Sequence, residues 1–263
     1  MEVKKSRCIM LLISLLIILT SAGCGGTDAV SQTGTEEKTP LEEYNYISER
    51  LNEFSAVEAQ LTTAFFVNNG SESLQLNMVS EIRQVGNGTV GADIEMITST
   101  RYLDESVEMA SYYTDGYFYT DYRGEKVKYR ISNEDMMEEN NLTLPDIDED
   151  SLKESSAEID DQGNTVITLV ADSSIMKSSL DRYAGQILGA ENGFFKCSDL
   201  TIVVKADDKG NIISCDTLIS MVLNEGGVMT EYTIDSYAEY YNTNEKIEIT
   251  FPDFSEYTEI TAE

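Results

Sequence analysis

The sequence predicts a mainly antiparallel α+β fold of about 11 strands with two or three helices, the sheet either folded on itself as a sandwich or curved into an incomplete barrel around those helices. Three observations predict it. Between Ser55 and Ile131 apolar residues recur at period two, the spacing of a strand with one dry face. Two-residue turn signals, Asp115-Gly116 and Arg123-Gly124, join successive strands in one consistent register. Only short segments carry a helical period, so the many single apolar faces must converge on one another and on those few helices.

The N-terminus places Lys4, Lys5 and Arg7 ahead of an apolar run from Cys8 to Leu19, and small residues follow up to Cys24. This is the layout of a signal peptide. At ~1.5 Å per residue the run makes a helix of about 18 Å, short of the ~30 Å core that a permanent span must cross. The stretch Ser21-Ala22-Gly23-Cys24 resembles a bacterial lipobox, with Ser21 where the pattern usually has leucine. Residues 1–23 are therefore expected to be a lipoprotein signal peptide. Lipid on Cys24 would then anchor the chain to the outer face of the bacterial cytoplasmic membrane. Two acyl chains at ~0.8 kcal/mol per buried methylene suffice for stable anchoring. Residues 24–38 are small, polar and acidic and read as a flexible tether, leaving 39–263 as one β-rich domain.

Thr39-Pro40-Leu41-Glu42 has the form of a helix start, with Thr39 as cap and Glu42 three residues on. Tyr44, Ile47, Leu51 and Phe54 follow at helical spacing. Leu74, Leu76, Met78 and Ile82 then alternate with Gln75, Asn77, Glu81 and Arg83, and Gly86-Asn87-Gly88 marks a turn before Val90, Ala92, Ile94 and Met96. With the two short turns, Val107, Met109, Ser111 and Tyr113 share a face with Phe118, Thr120, Tyr122, Val127, Tyr129 and Ile131. Lys126, Lys128 and Arg130 point the other way. A one-residue slip would turn every lysine inward, so the register is well specified.

From Ser132 to Glu158 the chain is acidic and irregular, with a short helix expected around Met136 and Met137. Strand character returns at Thr165–Val170, a second amphipathic helix is expected from Ile175 to Ile187, and four strands close the chain: Leu200–Ala206, Ile212–Leu223, Val228–Tyr241 and Lys246–Phe251. The turn Asp208-Lys209-Gly210-Asn211 fixes the register of the first two. It puts Cys197 opposite about Met221 and Cys215 near Val203 or Val204, too far apart to bridge.

Composition excludes several functions. A net charge of −30 repels polyanions, so no nucleic acid is expected as a partner and no basic patch for lipid headgroups. The chain has no histidine, which removes the commonest general base and nitrogen ligand. Ser174-Ile175-Met176-Lys177 matches S-x-x-K formally but opens a helix with no K-T-G after it. Asp146, Asp148 and Asp150 have Ser151 and Ala157 where a calcium loop needs glycine and glutamate. No enzyme activity, metal or cofactor is expected. Tyr112, Tyr113, Tyr117, Tyr119 and Tyr122 form a dense cluster, either a stacking surface for sugars or ordinary sheet packing.

The order of a helix, meandering strands, a helical excursion and further strands resembles the LolA/LppX-like superfamily of half-barrel lipoproteins, over roughly residues 40–252. The stretch Tyr112-Tyr113-Thr114-Asp115-Gly116-Tyr117-Phe118-Tyr119 looks like hairpins of uncharacterised Gram-positive members. The resemblance implies a curved half-barrel sheet of about 11 strands with two or three covering helices, and noncatalytic binding of a lipid or another hydrophobic ligand in its concave face. Candidates lining that face are Leu74, Leu76, Met78, Ile94, Met96, Met109, Phe118 and Tyr129. The alternative is an envelope-structural or protein-interaction module, in which the same residues only fill the core.

Overall fold

The computed structural model describes residues 38–71, 73–86, 91–102, 105–140, 142, 144–172, 195–225 and 228–260. The expected leader, Cys24, residues 24–37 of the tether, the Ile175–Ile187 helix and the S-x-x-K stretch lie outside them.

Helix α1 spans Pro40–Asn52 and begins as the sequence dictates. The Thr39 hydroxyl accepts from the Glu42 amide at 3.2 Å, and the Glu42 carboxylate accepts from the Thr39 amide at 2.7 Å. Two N–H groups that the first turn leaves unpaired are thereby satisfied. The helix buries Leu41, Tyr44, Ile47 and Leu51 along one side, and Phe54 extends that stripe just beyond its end.

Thirteen strands form one open, curved sheet. The first six make a meander: β1 (Ala56–Asn68), β2 (Ser73–Val85), β3 (Asp93–Tyr102), β4 (Glu105–Thr114), β5 (Tyr117–Tyr122) and β6 (Glu125–Arg130). Helix α2 (Asn133–Asn140) follows, then β7 (Leu152–Ile159), β8 (Thr165–Ala171), β9 (Phe195–Cys197), β10 (Leu200–Ala206), β11 (Ile212–Glu225), β12 (Val228–Thr243) and β13 (Thr258–Glu259). Their order across the sheet is β13-β6-β5-β4-β3-β2-β1-β12-β11-β10-β8-β7, with β9 pairing β11 off this path. The two meanders join where β1 pairs with β12, which sets Leu61 opposite Ala238, Thr63 opposite Ser236 and Phe65 opposite Ile234.

Turn chemistry fixes the register as expected. Asp115 and Gly116 have φ of 51° and 76°, and Arg123 and Gly124 have 54° and 82°. Both are left-handed pairs that match the twist of the strands they join. Ser111 thus faces Thr120, and Phe118 faces Tyr129. At the β10–β11 connection Gly210 serves packing as well: a Cβ there would lie 2.5 Å from the Tyr46 ring on α1. Cys197 on β9 pairs with Met221 of β11, six residues along that strand from Cys215, which pairs with Val204, so the two cysteines stand apart, and Cys215 is a buried free thiol.

Two expectations need correction. Residues Leu152–Ile159, read as part of an irregular excursion, form the edge strand β7; its side chains from Lys153 onward are exposed, so no apolar alternation announces it. Lys246–Phe251, read as a strand, is extended without a ladder partner. It leaves β12 at Asn244, whose amide donates to the Ala56 carbonyl at 2.8 Å, and reaches β4, where Phe251 meets Tyr112. A segment crossing the strands can alternate half-buried Ile247, Ile249 and Phe251 with exposed Lys246, Glu248 and Thr250 and still not pair.

Candidate functional site: the concave face of the sheet

Register assigns every strand a side. On the inner face Met78 stands between Thr63 and Thr100, Ser80 between Leu61 and Thr98, and Ile82 between Ala59 and Met96. The rows continue through Met109 opposite Thr98 and Ser111 opposite Met96. Helix α1, Met136 of α2, and Leu142, Leu144 and Ile147 belong to the same apolar cluster as this face. Tyr44 donates its hydroxyl to the Pro145 carbonyl at 2.5 Å and Tyr240 donates to the Leu142 carbonyl at 3.3 Å, fastening the segment after α2 over the sheet.

The eight residues singled out from the sequence all fall on this face, across five contiguous strands, β2 to β6. Leu76, Met78, Ile94, Met96, Met109 and Phe118 are buried. Tyr129 packs against the core, its ring 5.4 Å from that of Phe118, and Leu74 is half-buried near the free end of β2.

The wall differs from one side of the sheet to the other. Along β8 and β10, next to α1, Ile167, Leu169, Ala171, Ile202, Val204 and Ala206 are 0 % exposed. Along β3 and β4, Met96, Val107 and Met109 each keep 8 %. This second wall is also interrupted by polar groups that the apolar candidates did not include: Ser80, Gln84, Thr98, Thr100 and Ser111, all buried. Their signal was present as Ser80 within the Met78–Ile82 period and Gln84 just after it, and as Thr98 and Thr100 after Met96. Ser80 and Thr98 satisfy each other at 2.8 Å, as do Thr63 and Ser236 at 3.1 Å. Thr100 Oγ1, Ser111 Oγ and Gln84 Oε1 have no partner; among the described residues the remaining buried orphan is Arg50 Nε on α1. Burying such a group unpaired costs about 1–3 kcal/mol, so three on one wall demand an explanation.

Burial governs the acidity of the groups on the α1 side. It pushes the Cys215 thiol up to about 12 and raises the Tyr240 and Tyr44 phenols well above their ordinary range, with neighbouring Cys215 adding to both. These groups stay neutral at physiological pH and serve as hydrogen-bond donors and filler. Among the described residues no group of three metal-ligating side chains comes together, and the Asp148 carboxylate accepts from the Ser151 amide at 2.7 Å in a turn.

The tyrosine cluster divides between the two faces. Tyr113 and Tyr122 point inward, while Tyr112 and Tyr119 face outward beneath residues near the C-terminus. Phe254 stacks on Tyr119 at 3.7 Å with 17° between planes, Tyr257 meets Tyr119 edge-on, and Phe251 and Phe254 both pack on Tyr112. Lys126 pairs with Glu256 at 2.7 Å, and Thr258 and Glu259 add as β13 to the edge of β6. Packing, not an open stacking surface, is what these rings provide.

No family model matches the chain, and no curated protein sequence matches it. Solved structures similar to it include LprF from Mycobacterium bovis, at 12% identity and a TM-score of 0.44, covering 82% of this chain and 96% of that one. A DUF1329 family protein from Desulfovibrio piger is similar at 11% identity and a TM-score of 0.30, covering 84% and 98%. A putative outer membrane lipoprotein-sorting protein domain from Vibrio parahaemolyticus is similar at 10% identity and a TM-score of 0.26, covering 78% and 93%. At these values the likeness transfers neither ligand nor activity to this chain.

Proposed function

We propose that this chain is a noncatalytic extracytoplasmic lipoprotein, held to the outer face of the bacterial cytoplasmic membrane by lipid on Cys24, whose concave face binds a lipid or another hydrophobic ligand. The observation that carries the ligand is the methionine-lined wall of β2–β4, where Met96, Val107 and Met109 on β3 and β4 keep 8 % exposure against 0 % for the aliphatic residues Ile167, Leu169, Ile202 and Val204 of β8 and β10. Methionine has three rotatable bonds and a polarizable sulfur, and suits a surface that must repack around a guest. Leu74, Leu76, Met78, Ile94, Met96, Met109, Phe118 and Tyr129 would line the site. The anchor is supported by the basic, apolar, small-residue order that ends at Cys24. Residues 39–263 would act as one domain beyond the tether 24–38.

Titrating the purified protein with 1-aminoanthracene, a neutral apolar fluorophore, tests the ligand. Saturable blue-shifted emission at one site per chain is expected; no saturable signal, with no lipid copurifying in native mass spectrometry, defeats it. Labelled palmitate should enter the wild type and not Cys24→Ala.

A second reading, a protein-interaction module, is favoured by β7. This edge strand is paired on one side only, to β8, and Ile159 at its end is 66 % exposed.

A further inference from the structure

The polar atoms on the methionine-lined wall define the ligand more narrowly than its apolar character does. We infer that the wall takes an uncharged hydrophobic molecule with oxygen functions inside its apolar body, presenting hydrogen-bond acceptors to Thr100 and Ser111 and a donor to Gln84. The inference rests on the reading that the concave face binds a hydrophobic ligand, and it adds the ligand's polar pattern.

Geometry comes first. Thr100 lies opposite Met78 and Val107, Ser111 opposite Met96, and Gln84 opposite Ile94, all on the inner face. Thr100 and Ser111 are 2 % and 1 % exposed, and Gln84 is 5 %. Thr120 stands directly across from Ser111 without bonding to it, and Ser80 and Thr98 are already joined to each other. The Gln84 amide nitrogen donates to the Gly86 carbonyl at 3.2 Å, which fixes the side chain with its oxygen as the atom left over. A hydroxyl with nothing to donate to is best met by a carbonyl or ether oxygen, and an amide oxygen by a hydroxyl or N–H. Ser111 is four residues further along β4 than the partner of Thr100, so the two hydroxyls stand about 14 Å apart; Ser111 and Gln84, two strands and two residues apart, are separated by about 12 Å. Thr100 and Gln84, one strand and six residues apart, are the farthest pair at about 21 Å, so one elongated molecule of that length can meet all three.

Charge comes second. The buried polar residues on this wall are serine, threonine and glutamine, and no arginine or lysine is buried among the described residues. A carboxylate or phosphate drawn into the wall would leave water without a counter-charge. The protein's net charge of −30 opposes anions further. A bare hydrocarbon, conversely, would lie against the wall and leave all three atoms unsatisfied.

Displacement of 1-aminoanthracene from the purified protein separates these ligands, with methyl 12-hydroxystearate, whose ester and hydroxyl are spaced along one chain, oleate at pH 8 and 1-octadecene as probes. Methyl 12-hydroxystearate should bind at least about tenfold more tightly than either of the others. Thr100→Val and Ser111→Ala should each reduce that advantage roughly three- to tenfold and leave 1-octadecene unchanged. If 1-octadecene binds as tightly as methyl 12-hydroxystearate, or oleate binds more tightly, the polar pattern is wrong while hydrophobic binding stands. If the variants shift all three probes equally, the hydroxyls act on the fold and the inference fails. If neither the fluorophore nor any probe saturates, the binding reading itself falls. The wild-type comparison decides the matter even if a variant does not fold.

Discussion

The two ends of the sheet use the same strand geometry for different purposes. Beside α1, β8 and β10 present isoleucine, leucine, valine and alanine at 0–2 % exposure, and the buried phenols Tyr44 and Tyr240 each have a carbonyl to donate to, Arg50 Nε on α1 being the one orphan there among the described residues. Along β2–β4 the same alternation presents methionine and small hydroxyls, and three polar atoms lack partners. Branched aliphatic side chains fill a fixed shape well and adapt poorly, whereas methionine does the reverse. The contrast teaches that one continuous inner face can be core at one end and recognition surface at the other, with no break in topology between them.

The largest effect expected of that contrast is on stability. Ile202→Ala should cost about 4 kcal/mol and Met96→Ala about 2 kcal/mol, because the sealed wall cannot collapse onto a cavity and the adaptable one can. Urea unfolding of both variants reads this, and equal losses would erase the distinction. Next comes pH. The Cys215 thiol, in the sealed half, is pushed up to about 12 from an ordinary 9.0, so between those values the unfolded chain loses a proton that the folded chain keeps. Its stabilising contribution is therefore full below pH 9 and declines as pH rises toward 12, by up to ~1.4 kcal/mol per pH unit. Unfolding at pH 8.5 and 10.5 should show the decline in wild type and a shallower one in Cys215→Ala. Tyr44 and Tyr240, raised by the same burial, act in the same direction and leave a residual slope. The smallest effect has the opposite sign: Thr100→Val removes an unpaired hydroxyl and should leave the ligand-free protein as stable as wild type or up to about 1 kcal/mol more so. A loss above that size in thermal unfolding would mean that Thr100 has a structural partner.

Much of the fold was legible because its signals are local. The capping box at Thr39 and Glu42, and the turns at Asp115-Gly116 and Arg123-Gly124, need only neighbouring residues to be recognised, and period two then carries the register across β4, β5 and β6. Those same signals placed the eight apolar candidates on one face. What stayed hidden depends on long-range partners. Strand β7 has no dry face, so only its pairing with β8 makes it a strand. The period-two run from Ile247 to Phe251 is genuine, but alternation shows only that one side of a segment packs, not whether its backbone pairs. Gln84, Thr100 and Ser111 read as small interruptions in apolar periods, and nothing in the chain distinguishes a hydroxyl with a partner across the sheet, such as Ser80, from one without.

The segment that leaves β12 has a mechanical consequence. From Asn244 to Phe251 it spans the width of four strand intervals, about 19 Å measured along the sheet, with a maximum reach of about 25 Å. It ends with Phe251 on the outward ring of Tyr112, so it runs around the outside of the curve, where the arc is longer than the sheet's own mid-line. Bending the sheet more tightly would lengthen that arc and soon draw the segment taut, while flattening the sheet would slacken it. The C-terminal residues thus form a belt that limits how far the trough can close, and holds its mouth apart from without.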